Sequence, residues 1–106
     1  MEKLTKKQIL SELGDIPEEV YDGLVMSFIT QTKTQIEAVR GYLKAGDSKN
    51  AVSLIHSIKG CSANLRLYEI FEFSKNIEIQ LRENADAQDI DGNIINLVCL
   101  LDKTTV

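Results

Sequence analysis

The chain is poor in the residue types that mark special architectures. It contains one histidine, one proline, two cysteines and no tryptophan. A single proline, together with 43% hydrophobic and 26% charged residues, argues against a disordered, collagen-like or low-complexity chain. A length of 106 residues accommodates one hydrophobic core and is too short for two domains. We therefore expect residues 1–106 to form a single folded domain.

Runs of positive charge and long apolar runs are also missing. The formal net charge is -4, and the longest basic run is the pair Lys6 and Lys7. The sequence therefore offers no basic footprint for nucleic acid or for an acidic membrane surface. No apolar run approaches the roughly 20 residues that span a bilayer, and the stretch MEKLTKKQILSELG is amphipathic rather than typical of a signal peptide. These features predict a cytoplasmic protein without a nucleic-acid or membrane partner.

Metal-binding, disulfide and nucleotide-binding signatures are absent as well. Cys61 and Cys99 lie 38 positions apart and belong to no CxxC or mixed Cys/His spacing, which gives little support to a zinc site or a disulfide framework. We expect both cysteines to be small buried hydrophobic residues. No GxxxxGKS or GxxxxGKT loop is present to hold nucleotide phosphates, so we expect no ATP-dependent kinase activity.

Helical periodicity runs through almost the whole sequence. Apolar residues recur at three- and four-residue steps, and no stretch alternates with the period of two that marks a strand. Turn residues such as Gly14 and Gly46 separate the segments. The predicted helices cover residues 4–13, 17–45, 48 to 63 or 64, 67–83 and about 90–103. Four substantial helices with short connections predict an all-α protein: an antiparallel four-helix bundle with a short additional N-terminal helix.

The second helix is unusually long for so small a protein. Its predicted apolar stripe contains Val20, Leu24, Val25, Phe28, Ile29, Thr32, Ile36, Val39 and Leu43. About 28 helical residues would span about 42 Å. The helix must therefore overhang its neighbours or bend near the polar run of residues 30–34, and the sequence leaves both possibilities open.

The only histidine lies in the third helix, on a face of small and polar residues. On a wheel of about 100° per residue, the residues within about 60° of His56 are Val52, Ser53, Lys59, Gly60 and Ala63. The apolar residues lie nearly opposite and are Leu54, Ile58, Cys61 and Leu65, with Ala51 and Ile55 beside them. We therefore expect His56 to be exposed rather than buried in the core, although an idle surface histidine would have the same position.

Two neighbouring residues argue against an idle histidine. Gly60 lies inside a helix, where glycine costs about 0.5–1 kcal/mol relative to alanine, and no turn is needed there because the apolar pattern continues. Lys59 supplies a cation one helical turn from the ring, within reach of an anion attached to it. The three residues together are typical of an accessible nucleophile with a charge that stabilises an anion.

The stretch HSIKGCSANLRLYEIFEFSKNIE, residues 56–78, resembles the signature of histidine-containing phosphotransfer (Hpt) domains. In that family the pattern is His-x-x-Lys-Gly, followed by small and apolar residues and an amphipathic helix that ends near Leu-Glu. The preceding LVMSFITQTKTQIEAVRGYLKAGD also resembles the family, so that the resemblance covers roughly residues 17–101. Ile77-Glu78 is a conservative change from Leu-Glu. Arg66 stands where family members often have glycine, which leaves the geometry of that loop open.

The resemblance implies a phosphocarrier in a multistep phosphorelay of two-component signalling. His56 would accept a phosphoryl group from an aspartyl phosphate on a response-regulator receiver domain and pass it to another receiver. Lys59 would stabilise the phosphate, and Gly60 would give access. The receiver would dock on the face that carries Val52, Ser53 and Ala63, and on the long second helix near Met26. The Mg²⁺ ion would belong to the receiver, so this chain would need no cofactor, and we expect it to be a monomer.

Other functions remain open at this point. The chain would look the same if it were the phosphotransfer domain of a hybrid or chemotaxis-type histidine kinase, phosphorylated by a kinase domain. A helical adaptor with an idle histidine belongs to a different class. A metal-binding bundle is disfavoured because His56 has no carboxylate or second histidine three or four residues away on its helix.

Overall fold

A computed structural model describes residues 4–104, which form five α-helices and, within that range, no strand. The helices are α1 (Lys6–Glu12), α2 (Glu18–Lys44), α3 (Ser48–Asn64), α4 (Tyr68–Arg82) and α5 (Ala87–Lys103). Every predicted helix is present, and the ends differ from the predicted ones by at most three residues. The prediction of an all-α fold is confirmed.

The four long helices pack as a ring in which each contacts two neighbours. α3 packs against α2 and α4, while α5 packs against α4 and α2, so that α3 and α5 lie diagonally opposite. α1 lies at one end, where the Lys6 amine pairs with Glu18 of α2. Within residues 4–104, no helix has the length and apolar character needed to span a membrane. The architecture is the predicted antiparallel four-helix bundle with a short additional N-terminal helix.

α2 is a single helix of 27 residues, without a break at the polar run. The hydroxyl of Thr30 donates to the carbonyl of Met26 at 3.1 Å, so the polar run is accommodated inside the helix. Lys33 pairs with Asp102 in the last turn of α5 at 2.6 Å. Since Lys33 lies opposite the end of α5, the preceding half of α2 extends past that end and overhangs its neighbour.

Two residues of the predicted α2 stripe are exposed. Val20 and Leu24 are 50% and 48% exposed, whereas Tyr21 is only 4% exposed. The Tyr21 hydroxyl donates to the carbonyl of Leu65 at 2.6 Å, which satisfies the polar end of the ring where it meets α3. The overhanging part of α2 therefore turns the Tyr21 side to the bundle and leaves Val20 and Leu24 in solvent.

The buried stripe of α3 is rotated by roughly 60° from the predicted one. Its buried residues are Ala51, Ile55, Ile58 and Ser62. Leu54 and Leu65, which we expected near the centre of the stripe, are half-buried at its edge. Ser62 can be buried because its hydroxyl donates to the carbonyl of Lys59 at 2.8 Å. The rotation turns the histidine side of α3 towards α4.

The prediction that both cysteines are buried is wrong. Cys61 and Cys99 are exposed free thiols. On α3 the rotation places Ser62 in the core and carries Cys61 out of it. On α5 the core positions belong to Ile90, Ile94, Leu97 and Leu101, a regular stripe that does not include residue 99.

The loop between α3 and α4 has the geometry expected of a glycine, although an arginine occupies it. Arg66 adopts φ 62°, the left-handed conformation that glycine favours after a helix. Its amide donates to the carbonyl of Ala63 at 3.0 Å, and the amide of Leu67 donates to the carbonyl of Ser62 at 2.8 Å. These two bonds close the end of α3 in the manner of a Schellman motif.

The side chain of Arg66 offsets part of the cost of its backbone. The guanidinium donates to the carbonyls of Ala63 and Asn64 at 3.1 and 3.0 Å, two acceptors at the end of α3. Its Nε also donates to Glu12 of α1 at 2.8 Å. The arginine side chain thus holds the turn and connects it to the N-terminal helix. The loop therefore has the left-handed turn typical of a glycine, which answers the question that the sequence left open.

We expect Arg66→Gly to be more stable than Arg66→Ala by about 1 kcal/mol. Both variants lose the contacts of the guanidinium, but only glycine relieves the left-handed backbone. Urea unfolding of the two variants measures the difference directly. Equal unfolding free energies would show that the backbone at residue 66 is not strained.

Candidate functional site

His56 lies on the surface of α3, on the side that faces α4. Its side chain is 62% exposed, which confirms the exposure predicted from the helical wheel. The ring lies about 130° around α3 from the centre of the buried stripe, rather than directly opposite it as the sequence suggested. This smaller angle brings the imidazole within reach of the neighbouring helix.

A buried carboxylate of α4 holds one nitrogen of the ring. Nδ1 of His56 lies 3.2 Å from Oε2 and 3.4 Å from Oε1 of Glu78. Glu78 is only 5% exposed, although the ring above it is open to solvent. Nε2 of His56 has no hydrogen-bond partner within the part of the chain that the structure describes. One nitrogen is therefore anchored, and the other remains available.

Two cations share the same carboxylate. Nζ of Lys59 lies 2.7 Å from Oε1 of Glu78, a pairing that the sequence did not indicate. Nη2 and Nε of Arg82 lie 2.7 and 3.1 Å from Oε2. Lys59, His56 and Arg82 thus surround Glu78 with donors from both helices.

The charge of Glu78 determines which nitrogen of the ring carries the proton. Burial alone would raise the pKa of Glu78, but hydrogen bonds from Lys59, Arg82 and His56 outweigh it and lower the pKa from 4.5 to about 2. An ionised carboxylate only accepts hydrogen bonds, so a neutral imidazole beside it must donate from Nδ1. The lone pair of Nε2 is then directed away from Glu78 and can act as a nucleophile.

The surface beside the ring is low, as the sequence predicted. Gly60 and Ser53 are exposed, while Val52 and Ala63 are half-buried. A Cβ added at Gly60 would meet nothing within 4 Å, so the packing of the helices does not require glycine at this position. Glycines elsewhere in the helices are equally open. What distinguishes Gly60 is its position one turn from His56.

Met26 does not belong to this group. It lies on the same line of α2 as Lys33, because seven residues make nearly two full turns. Lys33 reaches α5 through Asp102, so Met26 lies on the side of α2 that faces α5. His56 is on the side of α3 that faces α4. The structure therefore brings together Val52, Ser53, Lys59, Gly60 and Ala63 around His56 and leaves Met26 on a different side of the bundle.

Glu78 and Arg82 are the site residues that sequence reasoning missed. Glu78 was visible only as the last residue of the stretch that resembles the Hpt signature. A signal did exist, because Glu78 and Arg82 are four residues apart on one helix, in the order that favours an ion pair. Their connection to His56 depends on how α3 and α4 face each other, which periodicity within a single helix does not report.

Comparison with known families gives one further finding. The sequence matches the family model described as the Hpt domain over residues 23–103, which is more than half of the chain. The matched region contains His56, Lys59, Gly60, Glu78 and Arg82. No curated protein and no solved structure matches the chain.

Replacement of Glu78 by glutamine should flatten the acid dependence of stability. The folded-state pKa of Glu78, about 2, lies below its ordinary 4.5. Its ionised form therefore stabilises the fold above the ordinary value, and this contribution is lost as the pH falls towards 2. We expect the unfolding free energy to fall less between about pH 5 and about pH 3 in Glu78→Gln than in the wild type. Urea unfolding of both proteins at the two pH values measures this difference in unfolding free energy.

Glu72→Gln is the matched control, because Glu72 is a half-buried carboxylate of the same helix. Glu72 forms no ion pair within the described residues. The control should retain the wild-type acid dependence. An acid dependence of Glu78→Gln as steep as that of the wild type would contradict the assignment of a stabilising charge to Glu78.

Proposed function

The chain belongs to the Hpt domain family, and on that premise we propose that it is a histidine phosphocarrier in a multistep phosphorelay. Members of this family carry phosphoryl groups in two-component signalling, interact with receiver domains and in general have no kinase activity of their own. His56 is the proposed carrier residue. The observation that supports it most is the exposed ring whose Nδ1 is held by Glu78, since this leaves Nε2 as the reacting atom.

The proposed transfer exchanges one bond to phosphorus for another. The lone pair of Nε2 attacks the phosphorus of an aspartyl phosphate on a receiver. The Nε2–P bond forms as the bond between phosphorus and the aspartate oxygen breaks, and the carboxylate leaves with that electron pair. The reverse sequence of events delivers the phosphoryl group to an aspartate of a second receiver.

Glu78 supports this reaction through charge. The ring of His56 keeps its proton on Nδ1 during the attack and so acquires a positive charge. The ionised carboxylate lies 3.2 Å from that nitrogen and is in place before the charge develops, which is the arrangement that stabilises a transition state at low reorganisation cost. Phosphoryl transfer depends mainly on such positioning and charge stabilisation, so a small site is sufficient.

The same feature favours a carrier over an adaptor with an idle histidine. A buried carboxylate is costly unless cations and hydrogen bonds compensate it. Glu78 is buried and connects to His56, Lys59 and Arg82. An adaptor would gain nothing from directing part of this network at an exposed ring, whereas a phosphocarrier needs the tautomer that the network selects.

The receiver should approach across the low face of α3. Gly60 and Ser53 leave space beside the ring, and the half-buried Val52 and Ala63 give the face some apolar surface. Lys59 lies one helical turn from His56 and contacts the same carboxylate, so we assign to its ammonium the interaction with a bound phosphoryl group. Within residues 4–104, no three His, Cys, Asp or Glu side chains are placed to hold a metal ion, and we assign the Mg²⁺ of the reaction to the receiver. We further propose a monomer that acts in the cytoplasm without a cofactor of its own.

Incubation with phosphorylated receivers should label the protein with one phosphate at His56. The label should be acid-labile and alkali-stable, as expected of a phosphoramidate, and tandem mass spectrometry locates it. His56→Gln should take up no label. A parallel incubation with histidine kinases and ATP tests whether a kinase is the direct donor. Failure of a broad panel of receivers and kinases to label the wild type, or equal labelling of His56→Gln, would disprove the carrier function.

Gly60→Glu should block transfer without damage to the fold. The added side chain has open space and glutamate is a better helix former than glycine, so the melting temperature should stay the same or rise. A negative charge one turn from His56 would repel both the phosphoryl group and an acidic receiver pocket, which should slow transfer by roughly tenfold or more.

The matched control is Gly92→Glu, since Gly92 is an equally open helical glycine on α5, diagonally across the bundle. It should transfer phosphate at the wild-type rate. Unimpaired transfer by Gly60→Glu would show that the glycine is not needed for access.

A further inference from the structure

The two oxygens of Glu78 are divided between different partners. Oε1 pairs with Nζ of Lys59 at 2.7 Å. Oε2 receives two donors of Arg82, at 2.7 and 3.1 Å, and it is also the oxygen nearer to Nδ1 of His56, at 3.2 Å. The oxygen that holds the ring is therefore the one that Arg82 holds, and the lysine is bound to the other.

The Glu78–Arg82 and Glu78–Lys59 ion pairs also differ in what holds the two partners together. Glu78 and Arg82 belong to the same helix at positions i and i+4, with the acid first, which is the favourable order. Arg82 is the last residue of α4, where the helix dipole favours a cation. The Lys59 pair crosses from α3 to α4 and depends on a flexible side chain that carries a single point charge. The arginine is thus the partner that the helix of Glu78 itself supplies, although its side chain is 60% exposed and that of Lys59 only 25%.

We propose that Arg82 is a positioning residue: it holds Glu78 against Nδ1 of His56 and so frees Lys59 to bind the phosphoryl group. This inference rests on the proposed function of the same site. When a phosphate dianion is attached to Nε2, the Lys59 ammonium leaves Oε1 for the phosphoryl oxygens. Arg82 then remains as the counter-ion of the buried carboxylate.

The energetic need for Arg82 follows from the burial of Glu78. At 5% exposure, a carboxylate that lost all of its cations would be strongly destabilised and would take up a proton. A protonated or displaced Glu78 would no longer compensate the positive ring. Without Arg82, Lys59 would be required at Glu78 and could not also serve the phosphate, so the site would lose one of its two functions.

The test uses the single histidine of the chain, since ¹⁵N-histidine labelling then reports one ring without assignment. Potassium phosphoramidate, which transfers its phosphoryl group to an imidazole with release of ammonia, serves as a donor independent of any partner. ³¹P spectra give the rate of phosphorylation, and the ¹⁵N signal of Nδ1 in the product shows whether this nitrogen keeps its proton.

We expect the phosphorylated wild type to keep the proton on Nδ1 at neutral pH. Arg82→Ala should be phosphorylated about tenfold more slowly, the factor that corresponds to loss of the one charge-assisted hydrogen bond between Nδ1 of His56 and Glu78, and its product should lose the Nδ1 proton. Arg82→Lys keeps the charge and should restore most of the rate and the proton. Arg40→Ala, which removes an arginine paired with Glu37 and Asp91 on the side of α2 that faces α5, should match the wild type.

Wild-type rate and Nδ1 protonation in Arg82→Ala would overturn the proposal. So would an Arg82→Lys variant as impaired as Arg82→Ala, or an Arg40→Ala variant impaired to the same degree, because the charge beside Glu78 would then not be the cause. If phosphoramidate labels His56 with the expected pattern but no receiver or kinase does, the role of Arg82 stands and the carrier function fails. If receivers label the protein but Arg82→Ala behaves like the wild type, the carrier function stands and the role of Arg82 fails.

Discussion

Glu78 carries a negative charge at a position that water hardly reaches, and the arrangement of α3 and α4 compensates that charge. Four nitrogen atoms converge on it. Two belong to His56 and Lys59 of α3, and two belong to Arg82 of α4. A buried charge that lost its partners would cost several kcal/mol. The way in which α3 and α4 face each other and the tautomer of His56 are therefore both linked to one electrostatic requirement.

This requirement connects the interior of the bundle to its surface. The carboxylate is buried, while the ring that it orients is mostly exposed. The histidine consequently has a defined tautomer even though it lies in solvent. Surface residues normally exchange freely among orientations, so the anchored Nδ1 is what separates His56 from an ordinary exposed histidine. The low surface at Ser53 and Gly60 then permits another protein to reach the free nitrogen.

The sequence predicted those parts of the structure that depend on one helix at a time. Turn residues such as Gly14 and Gly46 marked the helix ends, and apolar spacing identified most of the core. The exposure of His56 followed from its own helix in the same way. Features that depend on two helices were not accessible: the rotation of α3, which buries Ser62 and pairs His56 with Glu78, depends on how α3 and α4 face each other. Val20 and Leu24 were misplaced because the first turns of α2 turn the Tyr21 side to the bundle, and that orientation depends on the contact of Tyr21 with the end of α3.

The short connection between α3 and α4 has a consequence for how this chain can change. The left-handed turn at Arg66 fixes where α4 begins relative to α3, and each helical residue advances the direction of its side chain by about 100°. One residue inserted or deleted between Asn64 and Tyr68 would force α4 either to rotate Glu78 away from His56 or to move its apolar stripe out of the core. Substitutions on the outer surface carry no such penalty. Sequences that preserve this site should therefore differ in the residues they carry, while the length of this loop stays constant.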